Sequence, residues 1–329
     1  MKKWIAVLLA AVLLVCLTAC GAKEDAGLAE VTFVLDWTPN TNHTGLYVAM
    51  EKGWFAEEGL QVKVVQPPAD GAEVLVAGGK AQFGVSFQDY IAPGLIGENP
   101  LPITAVAAVM QHNESGIISR KGEGMDTPKG LEGKNYATWD LPVEKATLAA
   151  VVEADGGDFN AVQLIPSTVT DEVSALSSGS VDAIWVYYAW GGIACETAGL
   201  ETDYFAFAAL DSVFDFYSPV IIANNGYLQQ NPQQAKAFLR ALRKGYEFAS
   251  QNPTEAADIL MQAAPELQSN PELVYASQAY LADKYTADAE TWGVFDADRW
   301  SAFFVWLNEN NLLEESVEPT CGFTNDYLN

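Results

Sequence analysis

The sequence is poor in the residues that most metal and acid–base chemistry requires: it has two histidines, His43 and His112, and four cysteines in 329 residues. Their spacing resembles no zinc site, so neither a metal nor another cofactor is expected. Basic residues are scarce too, 17 Lys and Arg against 43 Asp and Glu, and a net charge of -26 disfavours nucleic acid as a partner. No nucleophile elbow, phosphate loop or Ser-His-Asp order stands out, which weighs against a secreted hydrolase. Long apolar runs are missing except at residues 4–17, a stretch too short to span a bilayer.

That run is the first positive feature. Lys2 and Lys3 precede it, and Leu17-Thr18-Ala19-Cys20 closes it. A charged start, a short apolar stretch and small residues before a cysteine make a secretory signal. The ending resembles the bacterial lipobox, which implies that residues 1–19 are removed and that Cys20 takes a diacylglyceryl group. The protein would then work outside the cytoplasm, anchored to the membrane by lipid. Residues 20–29 are small, charged and aperiodic, as suits a tether. About 310 residues remain, enough for two domains. Cys195 and Cys321 leave one disulfide open.

Strand-like and helix-like segments then alternate. Strands are expected at 31–36, 61–65, 82–87 and 103–110, with helices at 43–58 and 72–78 and an irregular one at 89–97. The pattern restarts with strands near 117–119, 134–138, 161–165 and 181–186, and with helices at 142–154 behind Asp140 and 171–178 behind Thr170. This alternation means βαβ units and a largely parallel sheet. After a strand at 219–223 the chain turns helical, with proline at the first helical position in Asn231-Pro232, Asn252-Pro253 and Asn270-Pro271. In the segment 296–310, Trp300, Phe303, Phe304 and Leu307 recur at helical spacing, a core pattern.

The sharpest motif, WTPNTNHTGLYVAMEKGWFAEEGL at 37–60, lies where a strand ends and a helix begins, the place where open α/β sheets bind ligands. With GGKAQFGVS at 78–86, PKGLEGK at 128–134, VDAIWVYYAWGGI at 181–193 and GFTNDYL at 322–328, it resembles the bacterial solute-binding lipoproteins for thiamine pyrimidine precursors. These share a family with the fungal thiamine pyrimidine synthase. The resemblance implies an α/β type II periplasmic-binding-protein fold, with lobe I at 30–113 and 215–329, lobe II at 114–214 and a ligand cleft between them. It also implies a monomer that hands its ligand to an ABC permease and its ATPase. Binding rather than catalysis would be the task, since the synthase's cysteine-rich run is missing. One departure bears on the ligand: where precursor binders often read Asn-Trp-Glu-Gly, this chain reads Ala189-Trp190-Gly191-Gly192.

The segments expected at the cleft hold no arginine, so a sulfonate or nitrate would find no guanidinium fork. They are rich in aromatics and carboxylates, which suit a flat heterocycle bearing N–H donors. The candidate ligand-binding residues are Asp36, Trp37, Asn40, His43, Ser86, Gln88, Glu114, Trp139, Tyr187, Tyr188, Trp190 and Tyr217. Asp36 is the expected acceptor for an exocyclic amine and His43 a ring-nitrogen partner or else a helix-capping group, while Asn40 alternatively closes the turn. A riboflavin-type ligand is the alternative that the Gly191-Gly192 pair leaves room for.

Overall fold

The computed structural model describes residues 27–328, so the signal segment, Cys20 and most of the tether lie outside the described residues. Ten strands form two five-stranded sheets. In the first, the order is β2 (Leu60–Val65), β1 (Ala29–Val34), β3 (Phe83–Ser86), β10 (Val220–Asn224) and β4 (Ile103–Ala108). The second runs β7 (Gln163–Pro166), β6 (Asn135–Thr138), β8 (Ala183–Tyr187), β5 (Ser115–Arg120) and β9 (Thr202–Ala206). The chain passes to the second sheet between β4 and β5 and returns between β9 and β10.

The sheets are mixed, but four of the five strands in each run the same way, as expected of βαβ units, and one strand in each is reversed. β1 pairs in parallel with β2 and β3, but β10 runs antiparallel to both β3 and β4. Likewise β6 is parallel to β7 and β8, whereas β5 is antiparallel to β8 and β9. The antiparallel strands β5 and β10 are those that follow a crossing, and so enter their sheet from the other lobe. Periodicity reports burial, not direction, which is why the sequence reading missed this. Nearly every residue of β3, β5, β8 and β10 is buried, as expected of strands covered on both faces.

The helix expected over 43–58 breaks into a 3-10 turn (Thr41–His43) and two helices, Thr44–Glu51 and Trp54–Glu57. Gly53 stands between the helices at φ 72, a left-handed conformation that costs glycine little. Asp140 does not cap the helix Pro142–Ala154; it sits at φ 65 while Glu144 reaches back to accept the Leu141 backbone N–H at 3.2 Å. The next helix, Glu172–Ser178, is capped by Asp171 rather than Thr170, through the Ser174 N–H at 2.9 Å. Prolines 232, 253 and 271 each open a helix as expected. Trp300, Phe303, Phe304 and Leu307 are fully buried in the first lobe's core. Cys195 and Cys321 are free thiols, one in the core beside the second sheet and the other against the first, so they form no disulfide.

One helix crossing positions the cleft. A Cβ on Gly245 would lie 1.9 Å from the carbonyl oxygen of Gly45, and one on Gly45 would meet the Tyr246 ring at 2.3 Å. The helices Thr44–Glu51 and Pro232–Gln251 therefore touch backbone to backbone, a closeness only glycine allows. That contact fixes the loop between β1 and its helix.

Candidate functional site

β1, β3, β6 and β8 end facing one cleft. Its central cavity, about 290 Å³, is lined by Asp36, Trp37, Asn40, Phe87 and Tyr90 from the first lobe and by Trp139, Glu172, Tyr187, Trp190 and Gly191 from the second. A neighbouring cavity of about 390 Å³ shares Tyr90, Trp139 and Tyr187 and adds Glu73, Asp89, Glu144 and Leu313. Phe87 and Tyr187 stack across the lobes with centroids 5.6 Å apart, and Trp37 stands 45% exposed at the mouth.

The carboxylate of Asp36 is held from behind. His43 Nδ1 accepts the Asn40 backbone N–H at 3.2 Å, which puts the ring proton on Nε2, and Nε2 donates to Asp36 Oδ1 at 2.6 Å. Deeper still, Tyr246 donates to the Asn42 carbonyl at 2.7 Å and Tyr285 to the Thr41 carbonyl at 2.9 Å. Among the described residues no lysine or arginine lines the central cavity. Burial raises the Glu172 carboxyl, with the like charge of Asp171 adding to the effect. In the neighbouring cavity burial pushes Asp89 up to about 7, against the pull of its own and Tyr90's backbone N–H groups. Flat aromatic walls and unneutralised carboxylates make a site for a planar ring that brings donors.

A family model described as NMT1/THI5 like matches residues 40–256. The formylaminopyrimidine-binding protein of Halalkalibacterium halodurans is 32% identical over 331 residues, covering 98% of this chain and 98% of the relative. This chain belongs to the NMT1/THI5-like family. A member from Legionella pneumophila, named 4-amino-5-hydroxymethyl-2-methylpyrimidine phosphate synthase, is 27% identical over 73% of this chain and 76% of its own. Among solved structures, the alkanesulfonate-binding protein SsuA of Xanthomonas axonopodis pv. citri superposes with a TM-score of 0.67 at 13% identity, over 91% of this chain and 99% of that one. At that identity the likeness is one of fold, and it is the two-lobed α/β fold that the motifs implied.

Of the residues singled out from the sequence of this family member, Asp36, Trp37, Asn40, Trp139, Tyr187 and Trp190 meet at the cleft. Asn40 also closes the turn, accepting from the Asn42 N–H at 2.9 Å and donating to the Thr38 carbonyl at 3.1 Å. The other six lie elsewhere. His43 is 1% exposed with both ring nitrogens engaged, so it braces Asp36 instead of meeting a ligand. Ser86 is buried and donates to Glu73. Gln88 donates to the Trp300 carbonyl at 2.8 Å and accepts the Tyr217 N–H at 3.0 Å. Tyr217 is buried against Trp300 and Phe295, its hydroxyl accepting the Asp296 N–H at 2.7 Å. Glu114 accepts from Tyr280 and faces Lys284 at 3.6 Å, and Tyr188 packs on Tyr204 and Tyr280 while donating to Glu196. These last two join the lobes away from the cleft.

His112 belongs to the crossing segments, with Nδ1 2.8 Å from Asp215 and Nε2 3.0 Å from Asp288. The cleft residues absent from the predicted site are Asn42, Phe87, Tyr90 and Glu172, with Gly191 noted only as a departure from the family pattern. Phe87 and Tyr90 sit in the motif-bearing turn after β3 and were readable as aromatics there. Glu172 sits in the first turn of a surface helix, where acidic residues are ordinary, and carried no signal.

Proposed function

We propose that the protein is the extracytoplasmic binding component of an ABC importer, capturing a small aromatic nitrogen heterocycle, most specifically a thiamine pyrimidine precursor, for a membrane permease. The observation that carries this reading is a cleft walled by Trp37, Trp139, Tyr187 and Trp190, with Asp36 and Glu172 as carboxylates and no cation. Stacking on such walls adds about 0.5–1.5 kcal/mol per aromatic pair beyond burial. A sulfonate or nitrate would instead face two carboxylates at close range. The likeness to a formylaminopyrimidine-binding protein supports the same ligand class.

In this reading the lobes are 30–113 with 215–329 and 114–214, the chain works as a monomer, and it performs no chemistry although some relatives are named as synthases. The engagement of both His43 nitrogens supports that last point, since neither is available to a reacting group. The lipobox supports anchoring through Cys20, and Cys20→Ser is expected to move the protein from the membrane fraction to the soluble one. Native mass spectrometry of the protein as purified tests the ligand class: a bound pyrimidine mass is expected. A flavin mass would favour the larger-ring reading to which the adjoining cavity of about 390 Å³ lends room, and a bound sulfonate would overturn the proposal.

A further inference from the structure

We propose that Glu172 is the second lobe's ligand-binding acceptor and that Gly191 is the residue that lets its carboxylate enter the cleft. This deepens the heterocycle-binding reading and rests on it. Glu172 opens the helix Glu172–Ser178, whose start is fixed by Asp171 through the Ser174 N–H at 2.9 Å and hydroxyl at 2.6 Å. From there its side chain lines both the central cavity and a smaller one of about 170 Å³ that shares Trp37, Trp139 and Tyr187. A Cβ built on Gly191 would lie 3.2 Å from both Cδ and Oε1 of Glu172 and 3.1 Å from Val186. The carboxylate thus lies against the space where any other residue at 191 would put its side chain.

Among the described residues no cation pairs with Glu172; burial, its own backbone N–H and the like charge of Asp171 are what act on it. A half-buried carboxylate with its own backbone N–H and no cation to bond it, on the wall of an aromatic cavity, is a costly arrangement unless something that donates enters beside it. The other lobe presents Asp36, one oxygen of which is already taken by His43. Acceptors from both lobes fit a flat ring whose exocyclic amino group offers two N–H donors, such as an aminopyrimidine, better than a ring with a single N–H. The second acceptor here comes from a helix start rather than from the strand-end turn, and glycine at 191 leaves it uncrowded.

The test is calorimetric titration of 4-amino-5-hydroxymethyl-2-methylpyrimidine and of a formylaminopyrimidine into the full chain and three variants, Glu172→Gln, Gly191→Ala and the double variant, with melting curves for each. A lost charge-assisted hydrogen bond predicts a 10- to 100-fold loss of affinity for Glu172→Gln at unchanged melting temperature. Gly191→Ala is expected to weaken binding through the displaced carboxylate, and the double variant to be no weaker than the weaker single one. Glu172→Gln binding within about twofold of the parent overturns the inference and leaves the heterocycle reading standing. So does a double variant whose losses simply add, since the two residues would then act independently. If the parent binds neither pyrimidine, the pyrimidine reading fails and this inference with it.

Discussion

The first lobe's wall of the cleft is locked from behind by buried groups, with Asp36 held by His43, the following turn held by Tyr246 and Tyr285, and two helices pressed together at Gly45 and Gly245, whereas Glu172 on the second lobe's wall has no ion-pair partner. The second wall also takes its order partly from the first: Tyr187 stacks on Phe87, and Ala189 accepts from Ser277 across the lobes. One wall is therefore complete within its own lobe, and the other is completed by contact.

The largest effect separates bracing from binding. Tyr246 is fully buried and stacks on Trp292 with centroids 4.5 Å apart. Tyr246→Ala is expected to lower stability by about 3–5 kcal/mol in urea melts and to weaken ligand binding as well. Trp300→Ala should cost about as much stability, through a core that does not line the central cavity, while leaving affinity unchanged once the variant is folded.

Smaller in stability but sharper on the comparison is His43→Ala. It leaves the Asn40 N–H and Asp36 Oδ1 unpartnered, a cost of about 1–3 kcal/mol. Calorimetry should show reduced affinity for an aminopyrimidine with no change in stoichiometry. For Trp37→Ala the balance reverses: the side chain is 45% exposed, so melting should hardly move while binding weakens by about 1–3 kcal/mol. An unchanged affinity there would remove Trp37 from the site.

A pH dependence bears on the adjoining cavity rather than on either wall. Asp89 lines the adjoining cavity with Oδ1 lacking a hydrogen-bond partner, and burial raises its carboxyl from 3.8 to about 7. Between those values the folded state holds a proton that the unfolded chain has released, so this group's contribution to stability is present at low pH and is lost as pH rises toward 7. Asp89→Asn should flatten that part of a melting-temperature profile. An unchanged profile would show that Asp89 ionises freely in the folded protein.

The two-lobed fold was legible through the family resemblance that its motifs carry, and several helix starts through local signals. Asn270-Pro271 and the Trp300 stripe needed no tertiary knowledge. Strand direction was not legible, since β10 reads as an apolar run whichever way it lies. Half of the proposed site residues shared a similar fate. Gln88 and Tyr217 sit in segments that reach the cleft, but their side chains turn inward to Trp300 and Asp296. A strand end fixes where the backbone goes; side-chain direction depends on which buried partner claims the polar group. Glu172 is the converse case, an ordinary helix-start carboxylate brought to the cleft by packing from a distant part of the sequence.

The central claim is that the cleft selects a planar nitrogen heterocycle over an anion, and side-by-side calorimetric titration of a formylaminopyrimidine, taurine and nitrate tests it most directly. The account predicts saturable binding of the pyrimidine, weakened by Trp37→Ala, and no heat of binding from taurine or nitrate. Saturable binding of taurine or nitrate, with none of the pyrimidine, would contradict it.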